Sequence, residues 1–401
     1  MSLTLRDVER ADQMRGGEIR KTPLVYSPIF SKLTGSKIYF KPEFQQKTGS
    51  FKIRGAYHKI QMLTGEEKKK GVVAASAGNH AQGVAYAASV EAIPCTIVMP
   101  KTASPAKVAA TRGYGADVIL EGANYDESSA RARRISSETG AVMIHAFDDL
   151  HVMAAQGVIG LEILEDLPDV EEIYVPIGGG GLAAGILTAV KGRAPDVRVI
   201  GVQSSAFPAM RTSVKGGTLS ADGGDKTIAD GIAVRTPGTV TFEITRRLID
   251  DVVLVDDREI IKTMFLLMER SKVVVEPAGA ACLAYLQANR PSPGKKVAVV
   301  MGGGNVDMYL LGQIVDKGLV ATGRLLKIEV MLRDKPGALK EVVDEISEAN
   351  ANIVEVTHDR ISYDVDAGSV SVTLSLETEG SEHADRLVRH LRDRKIEFKL
   401  K

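Results

Sequence analysis

Four consecutive glycines, Gly178 to Gly181, with Leu182 after them, join the apolar run EIYVPI to the stretch AAGILTAVK. The first run reads as a strand and the second as an apolar helix. A glycine turn at a helix N-terminus offers several backbone N–H groups that lack intrahelical acceptors, in a field of about half a positive charge. Phosphate suits such a turn, because no β-carbon keeps the anion from the backbone. A tight turn without a ligand is the plainer reading, but four glycines cost more chain entropy than a turn alone requires. A nucleoside-triphosphate loop needs Lys and then Ser or Thr after the last glycine, where this chain has Leu182 and Ala183. Gly178, Gly180 and Ala183 meet the loose dinucleotide pattern. The following strand, VRVIGVQ, nevertheless ends in Gln203 and Ser204 instead of an acid for a ribose hydroxyl.

Ser76-Ala77-Gly78-Asn79-His80 lies between the run GVVAA and a helix. Taken alone, its Ser and Asn are ordinary helix caps. The stretch Ser50-Phe51-Lys52, followed by Arg54-Gly55-Ala56, resembles the lysine motif of fold-type II pyridoxal-phosphate enzymes. With an ordinary pKa of about 10.4, a lysine acts as nucleophile and base only when kept neutral or condensed as an imine. The resemblance implies pyridoxal 5'-phosphate as cofactor, joined to Lys52, contacted by Phe51, and held through its phosphate by Gly178, Gly179, Gly180, Gly181 and Leu182. It further implies that Ser76, Ala77, Gly78, Asn79 and His80 grip the substrate carboxylate, with Ser76 counted as catalytic and Asn79 bonding the cofactor's 3'-oxygen. His80 also has a plainer reading, as a brace for the loop. Glu276, in VVVEPAGA, matches the family near the cofactor ring and reads equally well as an acid capping a helix before Pro277. In VVMGGGNVD the chain departs from many relatives: Gly302 stands where they place a serine for the pyridine nitrogen.

These turns need a frame. From about residue 36 to 316, runs rich in Val and Ile (GVVAAS, CTIVMP, DVILEG, EIYVPIG, VRVIGVQ, KVAVVMG) alternate with Ala-rich amphipathic stretches. Such alternation predicts open parallel sheets with helices on both faces and ligands at the carboxyl ends of strands. After Gly323 the pattern changes: LKIEVML and SVSVTLSLE alternate as half-buried strands, and the order β-α-β-β-α-β predicts a ferredoxin-like unit. That unit resembles ACT domains, which makes Asp334, Pro336, Gly337, Ala338, Leu339 and Asn352 candidate effector contacts. The expected fold is therefore α/β: a fold-type II catalytic domain over 1–315, with a smaller subdomain at about 50–150 inserted in the larger, a linker at 316–324, and an ACT-type domain over 325–401.

Over residues 5–315 the chain resembles threonine dehydratases. The family implies deamination of L-threonine to 2-oxobutanoate and ammonia, with L-serine as a further substrate, isoleucine or valine as effector, and a homotetramer. Serine dehydratase and serine racemase share the frame; racemases use a second serine where Ala77 stands and an acid of a cation site where Ser204 stands, so no metal is expected. A non-catalytic amino-acid sensor and a nicotinamide oxidoreductase are the competing classes, opposed by Lys52 and by the missing ribose acid. The 51 basic and 51 acidic residues of the 401 leave no global field for nucleic acid or a membrane surface. No run reaches the roughly 18 apolar residues of a membrane span, and the charged first twenty residues do not read as a signal peptide; a cytoplasmic protein is expected. Cys95 and Cys282 sit in apolar runs and read as buried free thiols.

Overall fold

A computed structural model describes residues 2–224, 226–363 and 365–401. The chain divides into two compact units, Met1–Asp307 and Met308–Lys401. The strands of the first are β1 (Val25–Tyr26), β2 (Lys37–Pro42), β3 (Val72–Ala75), β4 (Cys95–Met99), β5 (Asp117–Leu120), β6 (Val142–Met143), β7 (Glu172–Pro176), β8 (Arg198–Ser204), β9 (Asp251–Val255) and β10 (Lys296–Met301). They form a six-stranded sheet in the order β1-β2-β10-β7-β8-β9 and a four-stranded sheet in the order β5-β4-β3-β6. Every pairing of these strands is parallel except β1 with β2. The small sheet is inserted between β2 and β7 of the large one.

Parallel strands covered on both faces must be apolar throughout. β3, β7 and β10 satisfy this: Ile173, Val175, Val297, Val299 and Val300 have no exposed surface. Helices Leu150–Asp166 and Gly181–Arg193 pack beside the large sheet with their backbones nearly touching. A β-carbon on Gly185 would lie 2.2 Å from the Met153 carbonyl oxygen and 2.7 Å from the Gly157 nitrogen. This crossing fixes how the glycine loop before Gly181 faces the rest of the unit.

The second unit contains helix Met308–Ala321, β11 (Leu325–Arg333), helix Ala338–Glu348, β12 (Asn352–Asp359), β13 (Ser369–Glu377), helix Ser381–Asp393 and β14 (Phe398–Leu400). Its antiparallel sheet runs β12-β13-β11-β14. The alternating residues Ile328, Val330, Val370, Val372, Leu374 and Leu376 form its core with Val342, Ile346, Leu387 and Leu391. The expected linker at 316–324 is helical through Ala321, and the units part at Asp307–Met308, not at 315. Gly318, which reads as a loop residue, is buried inside the helix, so packing overrides the roughly 1 kcal/mol that glycine costs there. Gly323, with φ +66, follows the helix end.

Gly185→Ala should destabilise the first unit by about 1–3 kcal/mol, because backbone atoms cannot yield to the added methyl as side chains do. Thermal unfolding measures it; an unchanged midpoint would contradict the close helix crossing.

Candidate active site

The lysine loop is fastened to the end of β10. Phe51 N–H donates to the Gly302 carbonyl at 3.0 Å, Gly304 N–H donates to the Gly49 carbonyl at 2.9 Å, and Ser50 forms an antiparallel bridge with Gly303. Asn305 then donates from one amide nitrogen to the Thr48 carbonyl at 2.8 Å and to Asn79 Oδ1 at 2.7 Å. With its oxygen so engaged, Asn79 turns its Nδ2 to Glu276, 2.8 and 2.9 Å from the two carboxylate oxygens. Four segments that are distant in sequence thus meet at one place.

Lys52 opens helix Lys52–Gln61. Its Nζ donates to the Ala146 carbonyl at 2.7 Å and lies 5.2 Å from the centre of the Phe51 ring. The side chain is half-buried, and protein encloses the amine. Burial lowers its pKa to about 8, against a weaker opposing pull from Glu276. Burial also raises the Glu276 carboxyl to about 7, with the negative field of Asp230 adding to it. Both shifts run towards the neutral form, so a larger share of this amine is unprotonated near neutral pH than in a free lysine, which favours its use as a nucleophile.

The glycine loop lies against the same strap that receives the lysine. A β-carbon on Gly179 would fall 2.4 Å from the Phe147 ring, and one on Gly181 would fall 2.8 Å from the Phe147 backbone. Gly180 has φ +98, and a β-carbon there would be 2.6 Å from Met210 Cε. Packing as well as anion approach thus demands these glycines. The Gly179 carbonyl is taken by Thr241 Oγ1 at 2.6 Å and Gly238 N–H at 3.2 Å. The N–H groups from Gly178 to Ala183 have no protein acceptor among the described residues. Leu182 points into the core, 5 % exposed, so it contributes only its backbone.

In the Ser76–His80 turn, Ser76 Oγ accepts the Gly78 N–H at 3.1 Å, and Asn79 begins helix Asn79–Val90. Ala77 packs on the small subdomain's core. His80 is buried with its Nε2 2.9 Å from the Ile144 carbonyl, and burial lowers its pKa to about 3. This contact braces the turn against the residue just before His145. At Gly302 an added β-carbon would lie 3.3 Å from the Phe51 ring and 3.8 Å from Pro176.

The sequence reading missed the strap itself. Ala146 accepts from Lys52, Phe147 underlies the glycine loop, and Asp148 caps helix Thr239–Leu248 by accepting the N–H groups of Thr239, Val240 and Thr241 at 3.0–3.1 Å. Asp149 caps the next helix through the N–H groups of His151 and Val152. The run His145-Ala146-Phe147-Asp148-Asp149 signals a capped helix start, but nothing in it announces contact with Lys52.

In the second unit, Asp334, Gly337, Ala338 and Leu339 line a cavity of about 490 Å³ together with His358 and Arg360. Asp334 is paired to Arg360 at 3.0 Å. Pro336 belongs to the same turn. Asn352 lies outside the cavity, at the start of β12, where its Nδ2 meets Glu377 at 3.3 Å.

Pyridoxal phosphate fits the residues present in the first unit: an enclosed amine able to lose its proton, a phosphate cradle of unpaired N–H groups beside it, and an oriented amide at Asn79. The family model described as pyridoxal-phosphate dependent enzyme matches residues 16–303, and an ACT domain model matches 323–395. The chain is 48% identical over 389 residues to the L-threonine ammonia-lyase of Thermotoga maritima, covering 97% of each. The structure of the processed form of threonine deaminase isoform 2 from Solanum lycopersicum superposes with a TM-score of 0.74 at 34% identity, over 78% of this chain and 92% of that one. A maize serine racemase structure gives 0.74 at 35% identity, over 80% and 99%.

Two outcomes follow from this geometry. Competitive acylation of the cofactor-free protein, read by mass spectrometry, should show Lys52 gaining reactivity as pH rises through about 8, while exposed lysines gain it near their ordinary value of about 10.4. Titration of Lys52 with the exposed lysines would contradict its enclosure. Gly180→Asp should weaken cofactor binding by at least about tenfold, since at φ +98 its side chain would be strained and would collide with Met210 and Thr241, displacing the N–H groups of the loop. Equilibrium dialysis tests this, and wild-type affinity would misplace the cradle.

Proposed function

Because the chain belongs to the pyridoxal-phosphate-dependent enzyme family and ends in an ACT domain, we propose that it is a threonine ammonia-lyase. It converts L-threonine to 2-oxobutanoate and ammonia, with L-serine as a second substrate. The observation that carries this reading is the enclosed amine of Lys52, held at Ala146 directly beside the strap residue on which the phosphate cradle rests. The net reaction removes ammonia without oxidation: the water lost when the β-hydroxyl leaves is returned on hydrolysis of the product's C–N bond. When bound, the cofactor supplies the conjugated electron sink that makes the α-proton removable. The chain supplies the rest.

Lys52 takes the α-proton as a neutral amine. The start of helix Asn79–Val90 receives the substrate carboxylate, where N–H groups and the helix field favour an anion. Asn79 is held in one amide orientation by Asn305 and Glu276, so its Nδ2, the group that would donate to the cofactor's 3'-oxygen, is placed before binding. Gly302 lies beside Phe51 and carries no hydroxyl, so a bound cofactor would find no serine at this position for its pyridine nitrogen. Likeness to serine racemase favours a second reading, opposed by Ala77 where racemases carry their second serine.

The cavity at Asp334–Leu339 is read as the effector site, for isoleucine or valine, with Arg360 and the N–H groups at the helix start facing the effector carboxylate. The reading also carries a cytoplasmic homotetramer; no described helix is long and apolar enough to cross a membrane.

The test is direct. The holoprotein given L-threonine or L-serine should release ketoacid and ammonia, and Lys52→Ala should abolish this by well over the 10²–10⁴-fold, approximately, that acid–base transfer alone provides. Isoleucine or valine should change the apparent threonine affinity by about 5- to 150-fold. Formation of D-serine without ketoacid would favour the racemase; absence of both products would overturn the enzyme reading.

A further inference from the structure

Two stretches cross between the sheets of the first unit: residues 43–51, which lead from β2 into helix Lys52–Gln61, and residues 144–149, which lead from β6 into helix Leu150–Asp166. Arg54, the third residue of the lysine helix and 1% exposed, reaches the first of them and the helix that follows the second. Its Nε and Nη2 donate to Glu43 Oε2 and Oε1 at 2.7 and 2.8 Å, and Glu43 begins the short turn directly after β2. Its Nη1 and Nη2 donate to Glu162 Oε1 and Oε2, both at 2.8 Å, and Glu162 stands on the helix entered from the second crossing. Lys41 Nζ lies 2.6 Å from Glu162 Oε2. These four side chains are at most 3% exposed, two positive and two negative, and the partly exposed Arg15 adds a cation from the rim, 3.0 Å from Glu162 Oε1.

As a source of stability such a cluster is a weak choice. Desolvation of buried charges offsets most of their attraction, and an apolar contact of equal volume would hold the helix as well. What the cluster supplies is direction. A planar guanidinium joined by two bonds to each of two carboxylates permits one orientation of the helix relative to both, which neither a lysine nor an apolar side chain could impose. Lys52 stands two residues before this fork on the same helix turn, and its acceptor, Ala146, lies on the second crossing, which runs into the helix that the fork holds. The loop before it is fixed separately by Phe51 N–H on Gly302.

We infer that Arg54 is a positioning residue for Lys52: by clamping the first inter-sheet crossing and the helix that follows the second to the lysine helix, it sets where the amine stands relative to the bound cofactor and the substrate's α-carbon. The inference rests on the lyase reading for its rate measurement only. The substrate carboxylate is held by the Ser76–His80 turn, so misplacement of Lys52 should act on turnover more than on substrate affinity.

Arg54→Met with Glu43→Gln removes one charge of each sign, keeping the interior neutral while dissolving the fork. Displacing a reacting group by about 1 Å costs about 100-fold, so kcat for threonine should fall by about 10- to 100-fold, with KM within about twofold. The pH titration of the cofactor's visible absorbance should also shift from that of the wild type. Glu162→Gln is the milder companion, should the double variant not fold: Lys41, whose pKa burial already lowers, can shed the unmatched proton, and the same changes are expected in smaller degree. A folded variant with wild-type kcat and an unshifted absorbance titration would overturn the inference and leave Arg54 a structural residue. A wild type that binds cofactor but does not turn over threonine would defeat the lyase reading alone, and the absorbance titration would still decide the role of Arg54.

Discussion

The structure turns on an amine that must be enclosed and yet uncharged. Lys52 donates to a carbonyl, not to a carboxylate, and the acid that acts on it from nearby is itself pushed towards neutrality by burial. A strong ion pair at this place would keep the amine protonated and useless as a nucleophile. Two residues along, the chain does the opposite: it encloses Arg54 in a complete set of carboxylate partners. One turn of helix thus carries a cation whose charge is satisfied and an amine whose charge is discouraged, which separates holding the helix from doing chemistry with it.

The glycine loop shows a second division of labour. Its glycines read in the sequence as room for an anion, and the unpaired N–H groups agree with that. The same glycines also admit Phe147, Met210 and Thr241 against the backbone, so the loop is gripped from its outer side while its N–H groups remain available. A side chain in it would disturb the packing that aims the cradle as well as the approach of the ligand.

Much of this was legible in the sequence because it rests on local pattern. The six strands read from Val and Ile runs all form, the alternation at Ile328 to Val330 and Val370 to Leu376 gives the antiparallel core, and the motifs around Lys52, Asn79 and Gly178 converge. Four strands of the first unit escaped notice: β1 and β6 are two residues each, too short for any period to show, and β2 and β9 also went unread, β2 mixing Lys37, Lys41 and Pro42 with its apolar residues. The helical stretch before Gly323 looked like a linker because Asp316, Lys317 and Gly318 interrupt its apolar residues. The strap at 145–149, the clamp of Arg54 on Glu43 and Glu162, and the exclusion of Asn352 from the cavity at Asp334–Leu339 depend on contacts between residues far apart in the chain. No spacing rule expresses those.

The central claim is that Lys52 joins the cofactor. Reduction of the purified holoprotein with borohydride, followed by proteolysis and mass spectrometry, measures it directly. The account predicts a phosphopyridoxyl group on the peptide containing Ser50-Phe51-Lys52, at Lys52. A phosphopyridoxyl group fixed on another lysine, or none under conditions where the cofactor is bound, would contradict it.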